Sequence, residues 1–214
     1  MGYAHDYADA IQHRARVPMD PADFVPDWAD RPRKGKHYPG AESFPLPQTH
    51  FPDGASAAAG CLLSQPAYGN ERFTLPLLSG MLQDSYGLTG RRLGVQANTD
   101  LAALPHYTRT NWSRGTASGG GLYPVSVYWV SGPSGPLTPG VHYYSTPRHA
   151  MQRLLTGDVT GEVREAVGCG EAGPDTDECD QFLVLGIKYW QNAFKYNSFS
   201  FHVISMDIGT VLQS

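Results

Sequence analysis

Between Ser113 and Pro124 the chain reads Ser-Arg-Gly-Thr-Ala-Ser-Gly-Gly-Gly-Leu-Tyr-Pro, three consecutive glycines with Arg114 just ahead of them. Glycines let a backbone approach a ligand closely and turn its N–H groups inward, forming a nest for an anion or a polar ring edge. Arg114 suits a phosphate, which its planar fork meets with paired hydrogen bonds. The same residues also suit a plain flexible turn leading into a strand. The segment is not a P-loop, because it lacks the Gly-Lys-Ser/Thr, nor a Rossmann fingerprint, because it precedes a strand. The eight histidines show no metal-binding spacing such as H-E-x-x-H, and His142 and His149 fall on different elements, so no metal site is expected. His202, near the start of the last helix, is the histidine closest to other candidate chemistry.

These residues need elements to hold them. Thr74 reads as an N-cap, with Pro76 in the first turn, Leu75, Leu78 and Leu82 at helical spacing, and Gly87 closing the helix. Leu122–Val130 alternates β-branched and aromatic residues and reads as a strand, as do Val141–Tyr144 and Phe182–Lys188. Thr146-Pro147 predicts a helix start, with Gly157 ending that helix. A last helix is expected from about Ser198, where Phe201, Ile204, Ile208 and Val211 share one face. The first fifty or so residues are broken by prolines and predict an extended arm over 1–53, with one short helix near Tyr7–Arg16. Asp53–Gly60 reads as a linker, and the compact region is expected over 61–214. The sum is an α+β domain. The chain stops inside an apolar helix at Gln213-Ser214, which predicts a fragment or one half of a larger assembly.

Composition narrows the function classes. Glycine (24) and proline (17) make up about a fifth of the 214 residues, so turns are many, while twelve Tyr and four Trp argue for a packed core. The net charge of −4 with no long Lys/Arg run argues against nucleic acid as a partner. No apolar stretch approaches a membrane span, and the N-terminus has no signal-peptide core. Cys61, Cys169 and Cys179 are odd in number and lack C-x-x-C spacing, which predicts reduced thiols and a cytoplasmic setting.

Read in order, five segments together resemble SagB-type azoline dehydrogenases, FMN enzymes of the nitroreductase superfamily. RGTASGGGLYPVSVYWV is similar to their R-x-x-P-S-x-G-x-L-Y-P-x-E-x-Y stretch. VPDWADRPRKGKHYPGAESFPLP resembles their N-terminal arm, and LPLLSGMLQDSYGLTGRR their first core helix and S-x-G-L-T turn. PGVHYYSTPRHAMQRLL is similar to their P-G-x-Y-x-Y strand and following helix, and AFKYNSFSFHVISMDIGTVLQS to their Lys-Tyr motif and final helix. The sequence departs from the pattern at Ala117 (Pro in the family), at Ser126 (Glu) and after Lys195-Tyr196, where the usual Arg is absent. Before the first core helix it offers only Arg72 where the family has an Arg-rich segment, and the family's portion beyond the last helix is not present.

The resemblance implies a nitroreductase-like α+β core: a central, mostly antiparallel sheet flanked by helices and preceded by the arm. It implies FMN as cofactor and oxidation of thiazoline or oxazoline rings to thiazoles or oxazoles in a ribosomally made, modified peptide. Lys195 and Tyr196 would be the catalytic pair. Arg114, Ser118, Gly119 and Gly120 would contact the flavin, Arg114 toward phosphate and the Ser-Gly backbone toward the ring or ribityl chain. Implied partners are the azoline-containing precursor peptide, a second copy or a chain supplying the absent portion, and a cyclodehydratase complex. Ile204, Ile208 and Val211 are expected to be exposed unless a partner covers them. Asp207 and Gln213 read either as cofactor contacts or as polar positions on the helix back. Gly209 costs a helix about 1 kcal/mol against Ala, which a backbone or flavin ring packed on it would explain. Two alternatives remain: a non-catalytic pseudo-domain that docks peptide or completes a partner's flavin site, which the departures favour, and a general nitro or quinone reductase.

Overall fold

The computed structural model describes residues 2–33, 35–49, 73–96, 106–168 and 179–214. The expected linker Asp53–Gly60, Cys61, Arg72 and Cys169 lie outside them. The elements are α1 (Tyr3–His13), β1 (Glu42–Pro45), α2 (Leu75–Ser85), β2 (Leu88–Gln96), β3 (His106–Arg114), β4 (Val125–Ser131), β5 (Gly140–Ser145), β6 (Ala150–Thr156), α3 (Thr160–Val167), β7 (Gln181–Ile187), α4 (Trp190–Tyr196) and α5 (Ser200–Gln213).

Five strands form an antiparallel sheet in the order β1-β6-β5-β4-β7, and β2 and β3 pair as a separate hairpin. The core lies on one face of the larger sheet. Leu78 and Leu82 of α2, one helical turn apart, pack against Val125, Val127 and Trp129, which alternate along β4, and against Tyr144 and Met151 of β5 and β6. Thr74 caps α2 by accepting the Leu77 N–H, and the Gly87 N–H closes it on the Leu82 carbonyl. No helix among the described residues is long and apolar enough to cross a membrane.

Four expectations are corrected. Thr146-Pro147 opens no long helix: Thr146–Arg148 is a single 3₁₀ turn, His149 takes a left-handed conformation (φ 44°), and the chain returns as β6. Met151 lies opposite Tyr144 and is wholly buried, so pairing on both edges of β6 overrides the helix propensity of Met-Gln-Arg-Leu-Leu. The last helix is preceded by a separate one, α4, so Lys195 and Tyr196 sit at a helix C-terminus, not between a strand and a helix. Finally, Ile204 is buried and Ile208 and Val211 pack against the core, while Phe201, Met206 and Leu212 face outward. The helix is rotated from the expected stripe because Ser200, Val203 and Asp207 also turn inward. Among the described residues a Cβ at Gly209 would meet nothing within 4 Å, so no described backbone packs on it.

The arm is laid on the core at separate points. Its strand β1 extends the sheet beside β6. The Tyr7 hydroxyl donates to the Ser198 carbonyl (2.9 Å) and accepts from the His202 N–H (3.1 Å). Trp28 meets Phe194 edge-on, and the Tyr38 and Tyr128 hydroxyls bond at 2.9 Å.

Candidate functional site

The glycine-rich segment forms the turn between β3 and β4, and its shape follows from what surrounds it. A Cβ at Gly115 would fall 1.6 Å from the Asp84 carbonyl oxygen, so only glycine fits where the turn crosses the end of α2. The Thr116 N–H donates to the Ser85 carbonyl (2.7 Å). Further on, the Ser118 hydroxyl and the Gly119 N–H donate to the two carboxylate oxygens of Asp207, each at 2.8 Å, and the Ser118 oxygen accepts the Tyr123 N–H. Asp207 is 4% exposed, and charge-assisted bonds of this kind are the strong ones. It is neither a polar position on the helix back nor a residue of the cleft wall: α5 carries it inward to brace the turn. Gln213 is exposed.

Beyond the brace, Gly120 and Gly121 adopt positive φ (62° and 63°). This brings Gly120 against the pair from α4. A Cβ on Gly120 would lie 2.5 Å from the Tyr196 hydroxyl and 2.8 Å from the Lys195 ammonium. Two segments about seventy-five residues apart in the chain therefore meet tip to backbone. On the other side of the turn Arg114 lies between two rings, 4.1 Å from the Tyr123 centroid and 4.3 Å from that of Tyr86. Burial pushes the Tyr86 hydroxyl well above its ordinary pKa, and the Arg114 charge offsets part of that shift. Tyr86 stays neutral and donates to the Val125 carbonyl.

Arg114, Gly120, Tyr123 and Lys195 open on one cleft of about 730 Å³, walled as well by Trp112 of β3 and by Trp28 and Arg31 of the arm. Ser118 and Gly119 stand behind this wall, their hydroxyl and N–H turned to Asp207. The Tyr196 ring borders a smaller neighbouring cleft of about 250 Å³, although its hydroxyl reaches Gly120. His202 tilts against Phe199 and takes no place in the main cleft. His142 is buried and bonded to the Thr138 carbonyl, and His149 lies between Ser79 and Tyr144, so both are locally bonded and not solvated.

Sequence reasoning missed the brace role of Asp207 and the cleft residues Trp28, Arg31, Trp112 and Tyr86. The signal for Asp207 was present: a carboxylate beside Ile204, Ile208 and Val211 on an apolar helix face. For Trp28 and Arg31 there was none, because only docking of the arm brings them to the cleft.

The donor set answers which cofactor would fit. Three cations, Arg31, Arg114 and Lys195, line the cleft, and among the described residues no carboxylate does. With indole and phenol rings along its walls, such a cleft suits a planar anion. FMN is one, and the residues present fit it. Among the described residues no group of three or more His, Cys, Asp or Glu could hold a metal.

No protein-family model matches the chain, and the comparison with curated proteins returned no match. Solved structures are similar. A candidate nitroreductase from Anabaena variabilis aligns with a TM-score of 0.64 at 25% identity, over 95% of this chain and 36% of its own. A candidate nitroreductase from Ralstonia eutropha gives 0.54 at 14% identity, over 89% of this chain and 73% of its own. The E. coli microcin synthetase complex with truncated pro-microcin bound gives 0.47 at 17% identity, over 78% and 61%. The fold is nitroreductase-like, and the chain spans about a third of the length of the first of these structures.

Proposed function

We propose that this chain forms part of an FMN-dependent oxidoreductase that converts azoline rings of a modified peptide to azoles. One observation carries the proposal: the Gly120 turn meets the tips of Lys195 and Tyr196, recognised separately in the sequence, and Gly120 and Lys195 line one cationic, aromatic cleft in a nitroreductase-like fold. The Lys-Tyr and S-x-G-x-L-Y-P resemblances support the azoline substrate in particular.

Aromatising an azoline removes a proton from one ring carbon and a hydride from its neighbour. Bound FMN supplies the two-electron acceptor for the hydride. Arg114, clamped between Tyr86 and Tyr123, would hold the phosphate, and the Gly120 backbone would border the ring system. Lys195, at the cleft wall, would take the departing proton when neutral or stabilise the developing anion when charged. Tyr196, whose hydroxyl stands beside the Lys195 ammonium at Gly120, would relay that proton. Asp207 acts through the turn and not on the substrate.

The test begins with colour. The purified chain, with the partner chain where one is needed, should take up FMN and absorb in the flavin region, then convert azoline peptide to azole peptide with a loss of about two mass units per ring. Lys195→Ala and Tyr196→Phe should each lower turnover by about 10²–10⁴-fold, as expected for loss of a general base or its relay, with flavin content intact. Full activity in both variants would make the pair structural. A preparation that stays colourless with added FMN would favour a non-catalytic docking domain. Nicotinamide-driven nitro reduction without azoline turnover would select a general reductase.

A further inference from the structure

We infer that the arm-side mouth of the cleft is a specificity site for an acidic peptide segment, in which Trp28 receives the planar heterocycle and Arg31 pairs with a neighbouring carboxylate; this rests on the oxidoreductase reading above. The first observation is charge placement. The chain carries a net charge of −4, yet the cleft wall presents three cations and, among the described residues, no carboxylate. A wall of one sign on a molecule of the other concentrates anions at that place. One of the three cations, Arg114, lies on the turn side between Tyr86 and Tyr123 and is occupied by the cofactor's phosphate in the proposed enzyme. Arg31 belongs to a different segment, is exposed, and so remains for a second anion.

The second observation is the indole beside it. Trp28 is 58% exposed although it lines the cleft, and its ring is held edge-on by Phe194 at 5.7 Å with an interplanar angle of 80°. The Lys195 ammonium stands 6.0 Å from the same ring. A fixed, exposed indole next to the proposed base offers a flat ring a place to stack, at little entropic cost because the platform is already ordered. Asp30, next to Arg31 in the sequence, does not wall the cleft. Asp27, next to Trp28, is turned back on its own loop: it accepts the Ala29 N–H at 2.8 Å and the Asp30 N–H at 3.4 Å. Its charge is partly satisfied there, and it is not among the residues that wall the cleft.

The probes are two synthetic heptapeptides with a central thiazole, identical except for Asp or Asn next to the ring, each titrated against the FMN-saturated full chain at low salt by dye anisotropy. FMN affinity is measured separately by flavin fluorescence. The Asp peptide should bind about tenfold more tightly than the Asn peptide, the scale of one charge-assisted hydrogen bond. Arg31→Gln should erase that preference while weakening FMN binding less than Arg114→Ala does, and Arg31→Lys should retain part of it. Trp28→Ala should weaken both peptides alike. Equal binding of the two peptides, or an Arg31→Gln variant that loses FMN instead of the peptide preference, overturns the assignment. Failure of both peptides to bind while FMN still binds overturns the specificity site alone. Loss of FMN binding in the unmodified chain overturns the oxidoreductase reading along with it.

Discussion

Two segments border the same cleft and are held in opposite ways. The glycine turn, 115–123, is anchored from behind: a buried carboxylate takes two of its donors, Thr116 ties it to α2, and Gly115 fits only because it lacks a side chain. The arm segment 28–38 is held from in front by scattered contacts, Trp28 on Phe194, Tyr38 on Tyr128 and Tyr143, and the Lys36 ammonium on the Tyr128 hydroxyl. Buried charged hydrogen bonds are strong and hard to replace, whereas exposed ones contribute little. The contrast assigns different tasks to the two sides. In the proposed enzyme the turn would fix what every reaction cycle shares, and the arm would carry what can change with the substrate.

The sharpest way to break this contrast is Asp207→Ala. It leaves the Ser118 hydroxyl and the Gly119 N–H without their acceptor, and two charged hydrogen bonds of about 1.5–3 kcal/mol each predict a loss of about 3 kcal/mol or more of folding stability. Urea denaturation measures it; a loss below about 0.5 kcal/mol, the range of ordinary surface substitutions, would show that something other than Asp207 holds the turn. Next in size, Arg114→Ala should weaken FMN binding by about 1.5–3 kcal/mol, beside a smaller loss of stability from its contacts with the Tyr86 and Tyr123 rings. An unchanged flavin titration would remove Arg114 from the site.

Gly120→Ala is expected to cost about 1–2 kcal/mol for a left-handed residue with a side chain. Its larger effect should be on turnover, because the new methyl displaces the tips of Lys195 and Tyr196. On the arm, Tyr7→Phe removes one hydroxyl that serves two partners and should cost about 0.5–1.5 kcal/mol. The expected readout is faster proteolysis of the first forty residues with the core transition unmoved.

The smallest effect is a pH slope. Burial holds His142 and His149 below the ordinary histidine pKa of 6.5, so below that value the unfolded chain binds protons that the folded one refuses. Stability should therefore fall as pH drops through and below about 6.5. His142→Gln should flatten that slope, read from denaturation midpoints between pH 5 and 8. A slope unchanged by the substitution would show that His142 titrates alike in both states.

Much of this was legible in the chain before folding. The cap at Thr74, the alternation along Val125–Trp129 and the Gly-rich turn are local signals, set by hydrogen-bond chemistry within a few residues and by the absence of Cβ atoms. The resemblance of Lys195-Tyr196 and the S-x-G-x-L-Y-P run to known motifs singled out two segments that meet at Gly120 and border the candidate site. The path of 146–156 was not legible, because a strand and a helix compete closely there, and pairing with β1 and β5 decides between them. Asp207 was marked by its place on an apolar helix face, but its partners were not legible, since the Ser118 hydroxyl and the Gly119 N–H lie 89 and 88 residues away in the chain. The amino-acid sequence by itself determined which residues are able to bend, cap, stack and carry charge. Only the tertiary structure decided which of them meet: Gly120 against Lys195, Ser118 against Asp207, and the arm's Trp28 against Phe194 each close a long loop. That closure is stabilised by burial summed over the whole core, not by any signal local to either residue.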